Sequence, residues 1–256
     1  AGGRVCDGNE GEATGMRRWL HSSCSSRVFV AVFCAVSCQA CGEERITPAS
    51  AVRDLPTLTR FLDEYEANVQ DRTGQGVLHW AASVGNTDAM NYAIQQGADL
   101  GLPDIDGRTP LHIAALSGHG AAVDGLLQHG ARADVQDYAG ALPLHRAALA
   151  GSVSAAQSLA KAAPEQVDAR FSRTDGTALH SAAYLGHVRV LEALLDAGAS
   201  ACARNGAGEL PIDRFVEEDE DEVSKVFEEE PVVEESARRR VLALLQGATL
   251  GCGADL

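Results

Sequence analysis

A histidine returns on a fixed schedule through the middle of the chain, at His79, His112, His145 and His180, with intervals of 33, 33 and 35 residues. Each stands in one short phrase: VLHWAA, TPLHIAA, LPLHRAA and TALHSAA. A glycine follows six residues later every time, at Gly85, Gly118, Gly151 and Gly186. A period near 33 with an apolar phrase and a helix-stopping glycine reads as stacked helix–turn–helix units, each too small to bury its own apolar face. The chemistry of such an array belongs on a surface rather than in a closed catalytic pocket.

The cleanest unit, DIDGRTPLHIAALSGHGAAVDGLLQHGARADVQ from Asp104, shows why the pattern folds. Asp104 and Gly107 shape a tight turn. Thr109 caps the first helix, and Pro110 sits at its first position, where no amide hydrogen is missed. Leu111, Ala114 and Ala115 point inward, and the alanines let helices approach closely. Gly118 ends the helix in a left-handed conformation. Val123, Leu126 and Leu127 give the second helix its apolar face. Gly130 and Ala131 close it and lead into the next turn.

This opening and close resemble the ankyrin repeat, over roughly residues 50–248. The resemblance implies an all-α solenoid of helix–turn–helix units carrying finger-like β-turns. Repeat units are expected at 71–103, 104–136, 137–170 and 171–204, preceded by a partial capping repeat at 46–70. A degenerate capping repeat follows at 205–248, with Asp213 at the histidine position and an acidic insertion at 217–235, then a tail at 249–256. Departures from the pattern mark expected weaknesses. Gly76-Val77 replaces Thr-Pro in the first unit, predicting a poorly capped helix. Ala163-Pro164 replaces Gly-Ala in the third, and two extra residues follow, making the third-to-fourth junction the expected soft point.

The formal net charge is −15, and the segment 217–235 alone holds eleven acids against one base. Neither that segment nor the rest offers the basic stripe that nucleic-acid or anionic-membrane binding requires. Five of the seven cysteines precede the repeats, and nothing in the spacing pairs Cys202 with Cys252. A repeat body of free thiols favours a cytoplasmic or nuclear protein. Residues 1–45 argue otherwise. From Met16, paired arginines, a short apolar run and an acid-free stretch outline a secretory signal or a transit peptide. The same residues also fit a disordered tail or a membrane anchor, so an organelle or the secretory pathway stays open. A chain that does not begin with Met fits a fragment as well.

No nucleophile phrase, phosphate-cradling loop or metal-binding histidine pair stands out. The glycines are periodic, so turns explain them. In the family, the recurring histidine holds the turn by hydrogen bonds to the backbone. His119 and His187, which follow helix-ending glycines, read as structural too. No cofactor, metal or small-molecule substrate is expected. The resemblance implies a non-enzymatic scaffold or adaptor, monomeric, binding another protein through a concave face of finger tips and first helices. On that face the candidate binding residues are Arg72, Gln75, Ile105, Arg108, Leu116, Tyr138, Leu149, Arg173, Tyr184 and Leu185. Six of them form an apolar stripe on a surface that should be wet. Two rivals remain: a regulatory or substrate-recruiting fragment of a larger enzyme or channel, and a self-associating array using Leu242 and Leu245.

Overall fold

The structure, a computed structural model, describes residues 47–171, 176–213 and 235–249. The N-terminal segment, the acidic insertion and Arg173 lie outside the described residues. The array opens with two short helices, α1 (Pro48–Ala51) and α2 (Leu55–Glu64), within the stretch 46–70. Thr47 and Asp54 cap them by accepting the backbone N–H groups of Ser50 and Thr57. Four helix pairs follow: α3 (Val77–Val84) with α4 (Thr87–Gln95), α5 (Pro110–Leu116) with α6 (Gly120–Gln128), α7 (Pro143–Ala150) with α8 (Val153–Ala162), and α9 (Ala178–Tyr184) with α10 (Val188–Asp196). First helices pack side by side along the stack, and second helices do the same behind them. A longer helix, α11 (Glu235–Thr249), lies against α10.

Small residues make the close packing possible. The paired alanines after each histidine, from Ala81-Ala82 to Ala182-Ala183, are fully buried. Met90, Leu126, Leu159, Leu191 and Leu194 of the second helices fill the space behind them. Each first helix stops at a glycine with φ between 67° and 77°, a conformation that costs an L-residue energy and glycine little.

Two hydrogen-bond ladders join neighbouring units. In the first, each recurring histidine accepts through Nδ1 the backbone N–H of the residue that opens its helix, at 3.1–3.2 Å. That bond leaves the proton on Nε2, which donates forward to a backbone carbonyl. The acceptors are Arg108, Ala141 and Glu209 of the next unit and, for His145, Ala169 at the end of its own unit, at 3.0–3.2 Å. The second ladder runs backward from the residue that opens each second helix. Asn86, His119, Ser152 and His187 donate to the carbonyls of Val52, Ser83, Gly118 and Leu149, at 2.9–3.3 Å. His119 and His187 therefore do structural work, and so do the glycines facing them. A β-carbon on Gly85 would lie 2.8 Å from the His119 ring, and one on Gly151 2.9 Å from that of His187.

The first helix of the first unit starts without the hydroxyl contact that Thr109 and Thr177 give their histidines: no side-chain cap bond forms at Gly76, and only its N–H meets His79 Nδ1, at 3.2 Å. Two expectations are corrected. The self-association route is blocked at its centre, because Leu245 is fully buried against the array with Val241, and Leu242 packs on the same core. Cys202 is disulfide-bonded, so the free-thiol argument for a reducing compartment does not extend to it.

The third unit closes differently from its neighbours. Where Gly97, Gly130 and Gly198 turn the chain with positive φ, Ala163 leads into a 3₁₀ turn at Pro164–Gln166. Downstream, Asp213 repeats half of the histidine's task. Its Oδ2 accepts the Leu210 N–H at 2.8 Å, and a carboxylate has no N–H to send onward. Among the described residues no helix is long and apolar enough to cross a membrane.

Candidate functional site

Each finger among the described residues is organised by the side chain at its base. Oδ1 of Asp71 accepts the N–H groups of Thr73 and Gln75, at 2.8 and 3.0 Å. Asp104 does the same for Asp106 and Arg108, and Asp137 for Ala139 and Ala141. Asn205 provides the neutral version for Ala207 and Glu209. Adjacent fingers then pair edge to edge: the Ile105 N–H donates to Thr73 O at 3.2 Å, and the Tyr138 N–H to Asp106 O at 3.0 Å.

The second carboxylate oxygen ties finger to helix. Trp80 Nε1 donates to Asp71 Oδ2 at 2.9 Å, and Arg146 Nε to Asp137 Oδ2 at 3.0 Å. In the second unit the partner comes from the finger itself, with Arg108 Nε 3.0 Å from Asp104 Oδ2. Burial raises the Asp137 pKa, but the bonds from Arg146 and the Ala141 N–H outweigh it and hold the carboxyl below its ordinary value. Trp80 and Arg146 follow their histidines directly, so this helix face looks toward the fingers. Residues three positions later share it, since i and i+3 are neighbours on a helix. That places Leu116, Leu149 and Tyr184 beside the finger tips.

Among the described residues, five of the seven exposed large apolar side chains lie there: Tyr138 is 77% exposed, Val84 65%, Ile105 61%, Tyr184 55% and Leu116 38%, the other two being Leu55 and Tyr65 at the ends of α2. Leu149 and Leu185 are half-buried between them. Arg72 is exposed at the edge of the first finger, and Gln75 is half-buried in its turn. Arg108 is drawn inward, pairing with Asp104 and also with Asp106 at 2.6 Å. The Tyr138 ring lies over the neighbouring finger, where a β-carbon on Gly107 would come within 2.6 Å of it.

Val84 holds the register of Leu185 and belongs to the same face, although it is not among the ten candidate binding residues. Sequence reasoning passed over the finger-to-helix ties of Trp80 and Arg146. Their signal was a large donor directly after the histidine.

The buried histidines are held neutral. Burial lowers the pKa of His79 and His112 below the ordinary 6.5, and that of His145 to about 4, despite carbonyl partners that pull upward. Among the described residues no group of three His, Cys, Asp or Glu side chains is placed to hold a metal ion.

Helix pairs in register, fingers projecting from one side and an exposed row of apolar side chains define a repeat solenoid. A family model for ankyrin repeats, in three copies, matches residues 49–137 and 130–205, and the chain belongs to the ankyrin repeat family. Ankyrin repeats are in general protein–protein interaction modules. No curated protein matches the chain.

Proposed function

We propose that the array is a scaffold or adaptor that holds a partner protein against the face made by the finger tips and first helices. The observation that supports this reading is the exposed row of Ile105 and Tyr138, on fingers that are hydrogen-bonded to their neighbours, with Val84, Leu116 and Tyr184 at the ends of first helices. Isolated surface hydrophobics are ordinary, but a row of them repeated at the finger spacing is a contact surface. The first three fingers are held by hydrogen bonds at their bases and to one another, so binding does not have to order them, and rigid anchors bind with little entropic cost.

The test is retention of native proteins by the immobilised full chain, compared with two variants matched to it in thermal midpoint. Ile105→Ala/Tyr138→Ala should reduce retention at least about tenfold, as expected for aromatic anchors. Asp124→Ala/Gln157→Ala, on the exposed side of the second helices, should leave it unchanged. Equal retention by the finger variant and the parent would sink the reading.

A further inference from the structure

Cys202 stands in the exposed turn that leaves α10 for the finger based on Asn205, and it is disulfide-bonded. It is the only cysteine among the described residues, so its partner lies outside them. The bare interval between Cys202 and Cys252 pairs nothing, but their places within the units do. Cys202 ends LLDAGASAC and Cys252 ends LLQGATLGC, each eight residues after the first of two leucines that close a second helix.

The packing gives the same register. Arg240 of α11 lines one cavity with Val188 and Arg189 from the start of α10. Leu245, further along α11, is fully buried on the array. Only a helix running the same way as α10 satisfies both, because an antiparallel one would carry Leu245 off the start of α10. The end of α11 at Thr249 therefore lies toward the end of α10 at Asp196, where the chain turns to Cys202. Cys252 is three residues beyond Thr249, a reach of about 10 Å.

We infer that Cys252 is the partner of Cys202, and that their bond is a redox-controlled clasp on the end cap. It closes a loop of about 50 residues that includes the acidic insertion, and it stabilises α11 against the fourth unit by restricting the opened chain. Closure joins the two Sγ atoms. The two thiol protons and two electrons pass to a disulfide oxidant, which leaves as two thiols. A dithiol reverses the step by exchange and departs as the disulfide. Cys202 is exposed, so either reagent reaches it.

The test begins with the full chain equilibrated with oxidised glutathione, its remaining thiols blocked, and digested with trypsin without reduction. Mass spectrometry should find peptide 190–204 joined to peptide 241–256, the two separating on addition of dithiothreitol. Hydrogen exchange then reads the cap. Reduction should speed exchange in α11 at least about tenfold and leave α3 and α5 unchanged. Cys252→Ser should match the reduced parent and ignore dithiothreitol. Replacing Cys6, Cys24, Cys34, Cys38 and Cys41 together by Ser should alter neither result. Peptide 190–204 joined to an N-terminal cysteine, or recovered only as a blocked thiol or glutathione adduct, would overturn the pairing. The linked pair with exchange in α11 indifferent to reduction would overturn the clasp.

Discussion

A ladder histidine works only while it is neutral. Its Nδ1 accepts a backbone N–H, and a proton there would set one N–H against another inside a buried site. Asp71 and Asp104 face His79, Asp104, Asp137 and Arg146 face His112, and Asp137, Arg146 and His112 face His145. The net effect at all three histidines is a lowered pKa, with burial the largest cause. Between about 6.5 and the lowered folded-state values, the unfolded chain therefore binds protons that the folded chain refuses. Stability from these groups is full above about pH 6.5 and is lost as pH falls toward 4. The urea midpoint should drop steadily between about pH 7 and 4.5. His112→Phe keeps the volume but strands the Thr109 N–H and the Ala141 carbonyl, at roughly 1–3 kcal/mol each. It should cost about 3 kcal/mol at pH 7 and flatten part of the acid slope. A variant as steep as the parent would show that another group sets the pH dependence.

At the scale of the element, a finger and its two helices, the glycines divide into two kinds that look alike in the sequence. Gly107 and Gly208 both have positive φ, at 75° and 82°. Nothing lies within 4 Å of where a β-carbon on Gly208 would sit, whereas Gly107 carries the Tyr138 ring. Gly208→Ala should cost only the backbone strain, about 1–2 kcal/mol. Gly107→Ala should cost more and also displace Tyr138. A thermal midpoint separates the costs, and the NMR shifts of the Tyr138 ring report the displacement. If Gly107→Ala left those shifts in place, the glycine would not be the seat of the ring. The helix pairs, their stops and the alanine seams were legible in the residue pattern because periodicity reports burial directly. The pairing of Arg108 was not, because its Asp104 partner also serves the turn and spacing does not say which side chains meet. Nor was the burial of Leu245: the repeat register places the insertion and the closing helix, but not which side of α11 packs against α10.

At the scale of the whole molecule, each unit touches only its neighbours, so stability is a chain of local terms and damage should stay near its source. The third-to-fourth junction is an uneven link. His145 sends its forward bond to Ala169, not to the residue that precedes the next helix, and Leu142 lacks the hydroxyl that Thr109 and Thr177 add at Nδ1. Backward bonds still cross it, from His187 to Leu149 and from Ser200 to Asp168. Beyond this link, α9 and α10 depend on the cap that α11 provides. Leu245→Ala removes a fully buried side chain from that cap, at about 2–4 kcal/mol. In a nearest-neighbour array the loss should loosen α11, then α10 and α9, and fade at the junction. Hydrogen exchange should therefore speed up across 178–196 and 235–249 in the variant and stay at parental rates in α3 and α5. Equal acceleration from α3 to α11 would mean that the units open together, and that the link at Ala169 is as strong as the others.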